Sequence, residues 1–191
     1  MLKHLGTVTL QTKSLILRKL TMDDAHDVFY HWTSDRIITS GRHDHKTVEQ
    51  TKEALEKWIK CYEKDDYYEW GIELKENNEI IGAISTINNN EGVYSCEIAY
   101  NISKYHRNKG YTTEALISVL MFLIEKVGYN RIHGGHLIDN PASGRVMEKA
   151  GMKYEGTLRQ NSKNMNGDIV DSKIYSLIKD DLENKVREHC T

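Results

Sequence analysis

Apolar and polar positions along this chain change their period several times, and each change marks an element. From Ser14 to Leu20 (SLILRKL) they alternate, the pattern of a half-buried strand. Thr21-Met-Asp-Asp24 follows, a threonine with an acid three residues on, which predicts a helix from Met22 carrying Ala25, Val28, Phe29 and Trp32 on one face. The polar stretch Ser34 to Lys46 reads as a loop. A second helix from about Val48 to Glu63 carries Ala54, Leu55, Trp58, Ile59 and Tyr62 as its apolar stripe. Tyr67 to Leu74 and Glu79 to Ile87 read as strands joined by a turn at Lys75 to Asn78, and Asn88 to Gly92 turns into a third strand ending at Ile102. Asn130 to Ile138 is another strand. Asn140-Pro141 then opens a helix to Ala150, with Asn140 as cap, proline at the first helical position and Gly151 as stop. Met152 to Arg159 and Ile169 to Ile178 are the last strands, joined across Asn164 to Gly167, before a charged helical tail.

Glu97 to Leu116 is the stretch where pattern and chemistry meet. Ile98, Tyr100 and Ile102 lie in a β-favouring run, followed by Lys104, His106, Arg107, Lys109 and then Gly110. Beyond it Thr112, Ala115, Leu116, Val119, Leu120, Leu123 and Val127 recur at helical intervals. A strand, a basic turn and a helix N-terminus place backbone donors and positive charge together, which suits an oligophosphate. The order β-α-α-β-β-β-α-β-α-β-β predicts a single α/β (α+β) domain over residues 1–191, core about 14–178, with a mostly antiparallel sheet. The two strands flanking the long helix are expected to run parallel.

Composition narrows the class. The chain has 191 residues, 39% of them hydrophobic and 28% charged, with a net charge of −2, as expected of a globular protein with no general attraction to nucleic acid or anionic membrane. No apolar run reaches the length of a signal peptide core or a bilayer span, so a cytoplasmic protein is expected. Cys61, Cys96 and Cys190 are odd in number and far apart, as for free thiols. A nucleophilic role for Cys96 has no paired histidine to support it. The pairs His43/His45 and His133/His136 lack metal-site spacing, so no metal is expected.

Arg107-Asn-Lys-Gly110-Tyr-Thr112, between a strand with Glu97 and a long helix, resembles the R/Q-x-x-G-x-G/A acetyl-CoA motif of the GNAT superfamily of N-acetyltransferases. Asn140-Pro-Ala-Ser143 followed by Met147-Glu-Lys-Ala-Gly151-Met is similar to the N-x-x-S…K-x-G-F segment of the RimJ/RimL-type branch, as is the opening SLILRKLTMDDA. The resemblance spans about Ser14 to Ile178. It implies a six- to seven-stranded sheet splayed at an acetyl-CoA cleft, with helices on both faces. Acetyl-CoA as co-substrate would pair through its pantetheine with Ile98, Tyr100 and Ile102. Its pyrophosphate would meet the N–H groups of Arg107, Asn108, Lys109, Gly110, Tyr111 and Thr112, with Asn140 and Ser143 from the second motif. Two positions depart from the pattern: Thr112 replaces a glycine or alanine, and Met147 stands where many members carry a proton-donating tyrosine.

Acetyl transfer to an amine requires a base for the ammonium proton, a donor for the thioester oxygen and a proton for the departing thiolate. Glu97 is the candidate base, Ser143 the candidate donor to sulfur, and a backbone N–H near Ala99 or Tyr100 the candidate oxyanion donor. The acceptor is expected to enter between the loop 34–46 and the last hairpin, drawn by acids such as Asp65, Asp66, Glu69 and Glu73. The branch implies a protein N-terminal α-amine of ribosomal-protein type as acceptor. The alternatives are a small-molecule amine (antibiotic or polyamine) and, in another class, a non-catalytic acyl-CoA-binding module. Monomers or homodimers are expected.

Overall fold

The computed structural model describes residues 1–33, 45–164 and 166–182. Its strands are β1 (Leu10–Gln11), β2 (Leu15–Arg18), β3 (Glu69–Leu74), β4 (Ile80–Asn90), β5 (Ser95–Ile102), β6 (Arg131–Leu137), β7 (Lys153–Lys163) and β8 (Ile169–Ile178). They are hydrogen-bonded in the order β1-β2-β3-β4-β5-β6-β8-β7. β5 and β6 run parallel, as a helical crossover requires, whereas β1–β2, β2–β3, β3–β4, β6–β8 and β7–β8 are antiparallel. The α-helices are α1 (Ala25–Val28), α2 (Val48–Cys61), α3 (Tyr111–Phe122) and α4 (Pro141–Lys149). The mixed, mostly antiparallel α/β architecture is the one the sequence predicts, with the two-residue β1 as an addition.

The chain divides into two compact units. One comprises His4–Thr86 and Ala99–Ser118. Its helical entry is a 3-10 turn at Met22–Asp24, where Thr21 N–H donates to Asp24 Oδ2 at 2.7 Å. Arg18 grips the same carboxylate with Nη1 and Nη2, each at 2.8 Å. The run continues through α1 into a π-helical turn at Phe29–Thr33. The predicted helix is therefore present but wound three ways. Leu20, Ala25, Val28, Trp32, Leu55, Ile80 and Ala83 form its core, with Trp58, Ile59 and Tyr62 of the α2 stripe packed against it. Of the predicted loop 34–46, residues 34–44 lie outside the described residues.

The other unit comprises Met1–Lys3, Ile87–Ile98 and Val119–Thr191. The long helix leaves its α-helical winding at Leu123–Val127, a π-helical turn, and stops at Gly128 in the left-handed region, φ 96°. β4 runs on to Asn90, so Asn88 to Asn90, expected in a turn, are strand. The last hairpin closes as predicted, with Gly167 N–H donating to Asn164 O at 3.0 Å. Residues 179–182 are helical, and the rest of the tail, with Cys190, lies outside the described residues.

Candidate active site

The β5–β6 ladder pairs Ser95 with Arg131, Cys96 with Ile132 and Glu97 with His133, and ends there although β6 continues to Leu137. Facing residues of neighbouring strands share a sheet face, so Glu97 and His133 stand side by side. Glu97 is half-buried and accepts a hydrogen bond from Asn88 Nδ2 at 2.7 Å. His133 Nδ1 is buried with no hydrogen-bond partner among the described residues. Strand alternation accounts for His133 in the sequence, and only the register reveals its place beside the candidate base. The next row is close-packed. A Cβ on Gly134 would lie 3.1 Å from Ile98 Cγ2, 3.2 Å from Ile98 O and 3.4 Å from Met147 Sδ. Met147, 1% exposed, is thus a core side chain under β6. Cys96 is 0% exposed and burial pushes its thiol up to about 12, so at neutral pH it is protonated and unreactive.

α4 begins at Pro141, and Gly144 on it lies against β6. A Cβ there would sit 2.5 Å from His136 Nε2 and 3.2 Å from the Tyr175 hydroxyl. Asn140 occupies the cap position but its side chain makes no cap hydrogen bond. Its backbone carbonyl accepts the Ser143 N–H at 3.2 Å instead. The expected capping role is corrected: at φ −115° and ψ 61° the Asn140 backbone is not in the extended conformation usual for a side-chain cap. Ser143, in the first turn of α4, is half-buried.

In the other unit, β5 ends at Ile102 and a 3-10 turn follows at Lys104–His106. Arg107 is extended, φ −68° and ψ 158°, and Asn108 and Gly110 are left-handed at φ 61° and 87°. α3 then starts at Tyr111, with Glu114 N–H donating to Gly110 O at 3.0 Å. Nothing lies within 4 Å of a Cβ built on Gly110. Glycine is therefore required here by its backbone angle, with open space beside it. The first-turn N–H groups of an α-helix have no intrahelical acceptors. Together with Lys104 and Lys109, both exposed, this turn has the donors and charge to receive a pyrophosphate. Thr112 is 8% exposed, so the residue that departs from glycine or alanine is buried.

Two of the acids expected to draw an acceptor are engaged internally. Glu69, 2% exposed, accepts from the Tyr67 hydroxyl, and Glu73, 7% exposed, pairs with Arg18 Nε. Among the described residues no group of three or more His, Cys, Asp or Glu side chains is arranged to hold a metal ion, and no helix is long and apolar enough to cross a membrane.

A family model described as an acetyltransferase (GNAT) domain matches residues 14–153. The chain belongs to this GNAT acetyltransferase family. The uncharacterized N-acetyltransferase YoaA of Bacillus subtilis (strain 168) is 30% identical over 171 residues, covering 89% of this chain and 96% of YoaA. Solved structures share the fold. The ribosomal-protein-S5-alanine acetyltransferase from Vibrio fischeri superposes with a TM-score of 0.77 at 18% identity, covering 91% of this chain and 98% of that one. The microcin C7 self-immunity acetyltransferase MccE, in complex with acetyl-CoA and AMP, superposes with a TM-score of 0.74 at 18% identity, covering 87% and 93%. The protein is an acetyl-CoA-dependent N-acetyltransferase.

Proposed function

We propose that this enzyme is a cytoplasmic, single-domain acetyltransferase that acetylates a protein N-terminal α-amine, with Glu97 as the base. The observation that carries the site assignment is the end of the β5–β6 ladder at Glu97 and His133. Beyond it, the backbone of Ile98, Tyr100 and Ile102 serves to align pantetheine, and the N–H groups of Arg107 to Thr112 hold the pyrophosphate. When bound, acetyl-CoA supplies the activated acetyl group as a thioester. Glu97, held by Asn88, takes the proton that the acceptor ammonium loses on becoming nucleophilic. His133, on the same sheet face, lies one strand away and offers a second proton acceptor. Ser143 delivers a proton toward the departing sulfur, the task Met147 has no proton for. Asn140, its side chain not spent on a cap, orients the coenzyme.

The N-terminal α-amine reading rests on the likeness of the segment from Asn140 to Met152 to the RimJ/RimL-type branch. Loss of Glu69 and Glu73 as surface acids removes support for a strongly polycationic acceptor. The test is thiol release from acetyl-CoA against N-terminal peptides, polyamines and aminoglycoside-type amines. Release with the peptides alone supports the proposal. Release only with small amines replaces the acceptor, and no release with any amine, alongside tight coenzyme binding, contradicts acetyl transfer itself.

A further inference from the structure

The root of the coenzyme turn contains a buried polar network that acetyl transfer does not use. His31, 2% exposed, sits in the π-helical turn Phe29–Thr33, and both its ring nitrogens are engaged. Nδ1 meets Ser103 Oγ at 2.7 Å and Nε2 meets Glu79 Oε1 at 2.7 Å. An ionised carboxylate only accepts, so Nε2 carries the proton toward Glu79, and Nδ1 is then able to accept from the Ser103 hydroxyl. The carboxylate is held in its ionised form: burial pushes its pKa up, but hydrogen bonds from Asn77 and His31 outweigh that and lower it.

Ser103 is 0% exposed and is tied at three points. Its N–H donates to Ile81 O at 2.8 Å, its carbonyl accepts from His106 N–H at 2.9 Å, and its hydroxyl bonds His31. His106 lies beside the network but outside its hydrogen bonds, with Nε2 3.7 Å from Glu79 Oε2, its ring 5.5 Å from that of His31 and its buried Nδ1 without a hydrogen-bond partner among the described residues. Burial depresses the His106 pKa, aided by the charge of Lys109 against Glu79. The chain leaves Ser103 directly into Lys104–His106 and then Arg107–Gly110.

Serine, histidine and glutamate in line suggest a hydrolytic triad, but a fully buried Ser103 admits no substrate carbonyl, and the histidine faces serine through Nδ1 rather than Nε2. Positioning is what the geometry supports. A buried, fully paired polar network fixes one arrangement of the segments it joins, because every alternative leaves a polar group unpaired. Here it joins the π-helical turn, the start of β4 and the residue from which the coenzyme turn departs. We propose that His31 is a positioning residue for acetyl-CoA: bridging Glu79 and Ser103, it aims the N–H groups of Arg107 to Thr112 at the pyrophosphate. This rests on reading that turn as the coenzyme site.

The test combines calorimetric titration of acetyl-CoA with initial rates for Ser103→Ala, Ser103→Thr, Glu79→Gln and Lys109→Glu. Ser103→Ala is expected to raise the acetyl-CoA Kd and KM together by about tenfold, the size of one buried hydrogen bond left unmade. Its kcat at saturating acetyl-CoA stays within about twofold, since only coenzyme binding is weakened. Ser103→Thr, which keeps the hydroxyl, recovers most of the affinity. Should Ser103→Ala fail to fold, Glu79→Gln, on a residue 28% exposed, serves in its place and is expected to show the same split. Lys109→Glu, which reverses an exposed charge on the turn, separates the two failures. If it weakens binding while folded Ser103→Ala and Glu79→Gln bind as the wild type does, the positioning role is overturned and the coenzyme reading stands. If Lys109→Glu also leaves Kd unchanged, the coenzyme reading fails and takes the proposal with it.

Discussion

Gly82→Ala puts a methyl group where the β4 backbone meets β5. The added Cβ would lie 2.3 Å from Asn101 O, 3.1 Å from Ile102 Cα and 3.2 Å from Asn101 C. These are backbone atoms, so no rotamer change relieves the clash. Cβ contacts below 3.0 Å essentially never occur, so the Asn101 carbonyl must retreat by at least about 0.7 Å. Two bonds resist the move: Ala83 N–H donates to Asn101 Oδ1 at 3.0 Å, and Ser103 N–H to Ile81 O at 2.8 Å. Overpacking of this kind costs about 1–3 kcal/mol. For a chain of this length that lowers Tm by about 2–12 °C. Asn101 lies between Tyr100 and Ile102, the residues assigned to pantetheine, so the shift also reaches binding. A displacement approaching 1 Å at a positioned group can cost up to about a hundredfold, and kcat/KM for acetyl-CoA is expected to fall at least about tenfold. Differential scanning fluorimetry and thiol-release kinetics read the two effects. A Tm within about 1 °C of wild type and an unchanged KM for acetyl-CoA would refute the reasoning.

Ser143→Ala is expected to lower kcat by about a hundredfold, as loss of a positioned proton donor does, with acetyl-CoA affinity little changed. Met147→Tyr does not rescue it, because the buried site against Gly134 has no room for a phenol, and its Tm falls by a few degrees, checked in the same scan. Glu155 is held at about 2, chiefly by Arg131 and then by Ser176, below its ordinary 4.5. The stability it contributes is therefore complete above about 4.5 and lost as pH falls toward 2. Tm measured across that range shows a steeper acid loss in the wild type than in Glu155→Gln. Cys96 is expected to resist thiol-directed alkylation in the folded protein and to react only on denaturation, read by peptide mass spectrometry.

Long, regular elements were legible because their signals are local. The stripe from Thr112 to Val127 and the Pro141 helix start follow from residues within a few positions of one another, and the parallel β5–β6 pair from the helical crossover between them. The π-helical windings at Phe29–Thr33 and Leu123–Val127 leave no mark in an apolar period. The coenzyme turn was legible from its basic residues and Gly110, although the structure assigns that glycine to a left-handed backbone angle. Asn88 carried a turn signature, yet it stands in β4 at φ 50° and holds Glu97. Of the four acids expected to draw an acceptor, Glu69 and Glu73 are buried: Glu73 by Arg18, which strand pairing brings from 55 positions away, and Glu69 by its place in β3, where the Tyr67 hydroxyl two residues back donates to it. The network at His31 was unreadable for the same reason, its partners lying 72 and 48 positions away along the chain.

We propose that the amine is deprotonated at Glu97 and acetylated from a coenzyme bound farther along β5 and its turn. The most direct measurement compares wild type with Glu97→Gln in thiol release with an N-terminal peptide, alongside calorimetric titration of acetyl-CoA. Turnover is predicted to fall by about a hundredfold or more while acetyl-CoA Kd stays within about twofold. Wild-type turnover in Glu97→Gln would contradict the account.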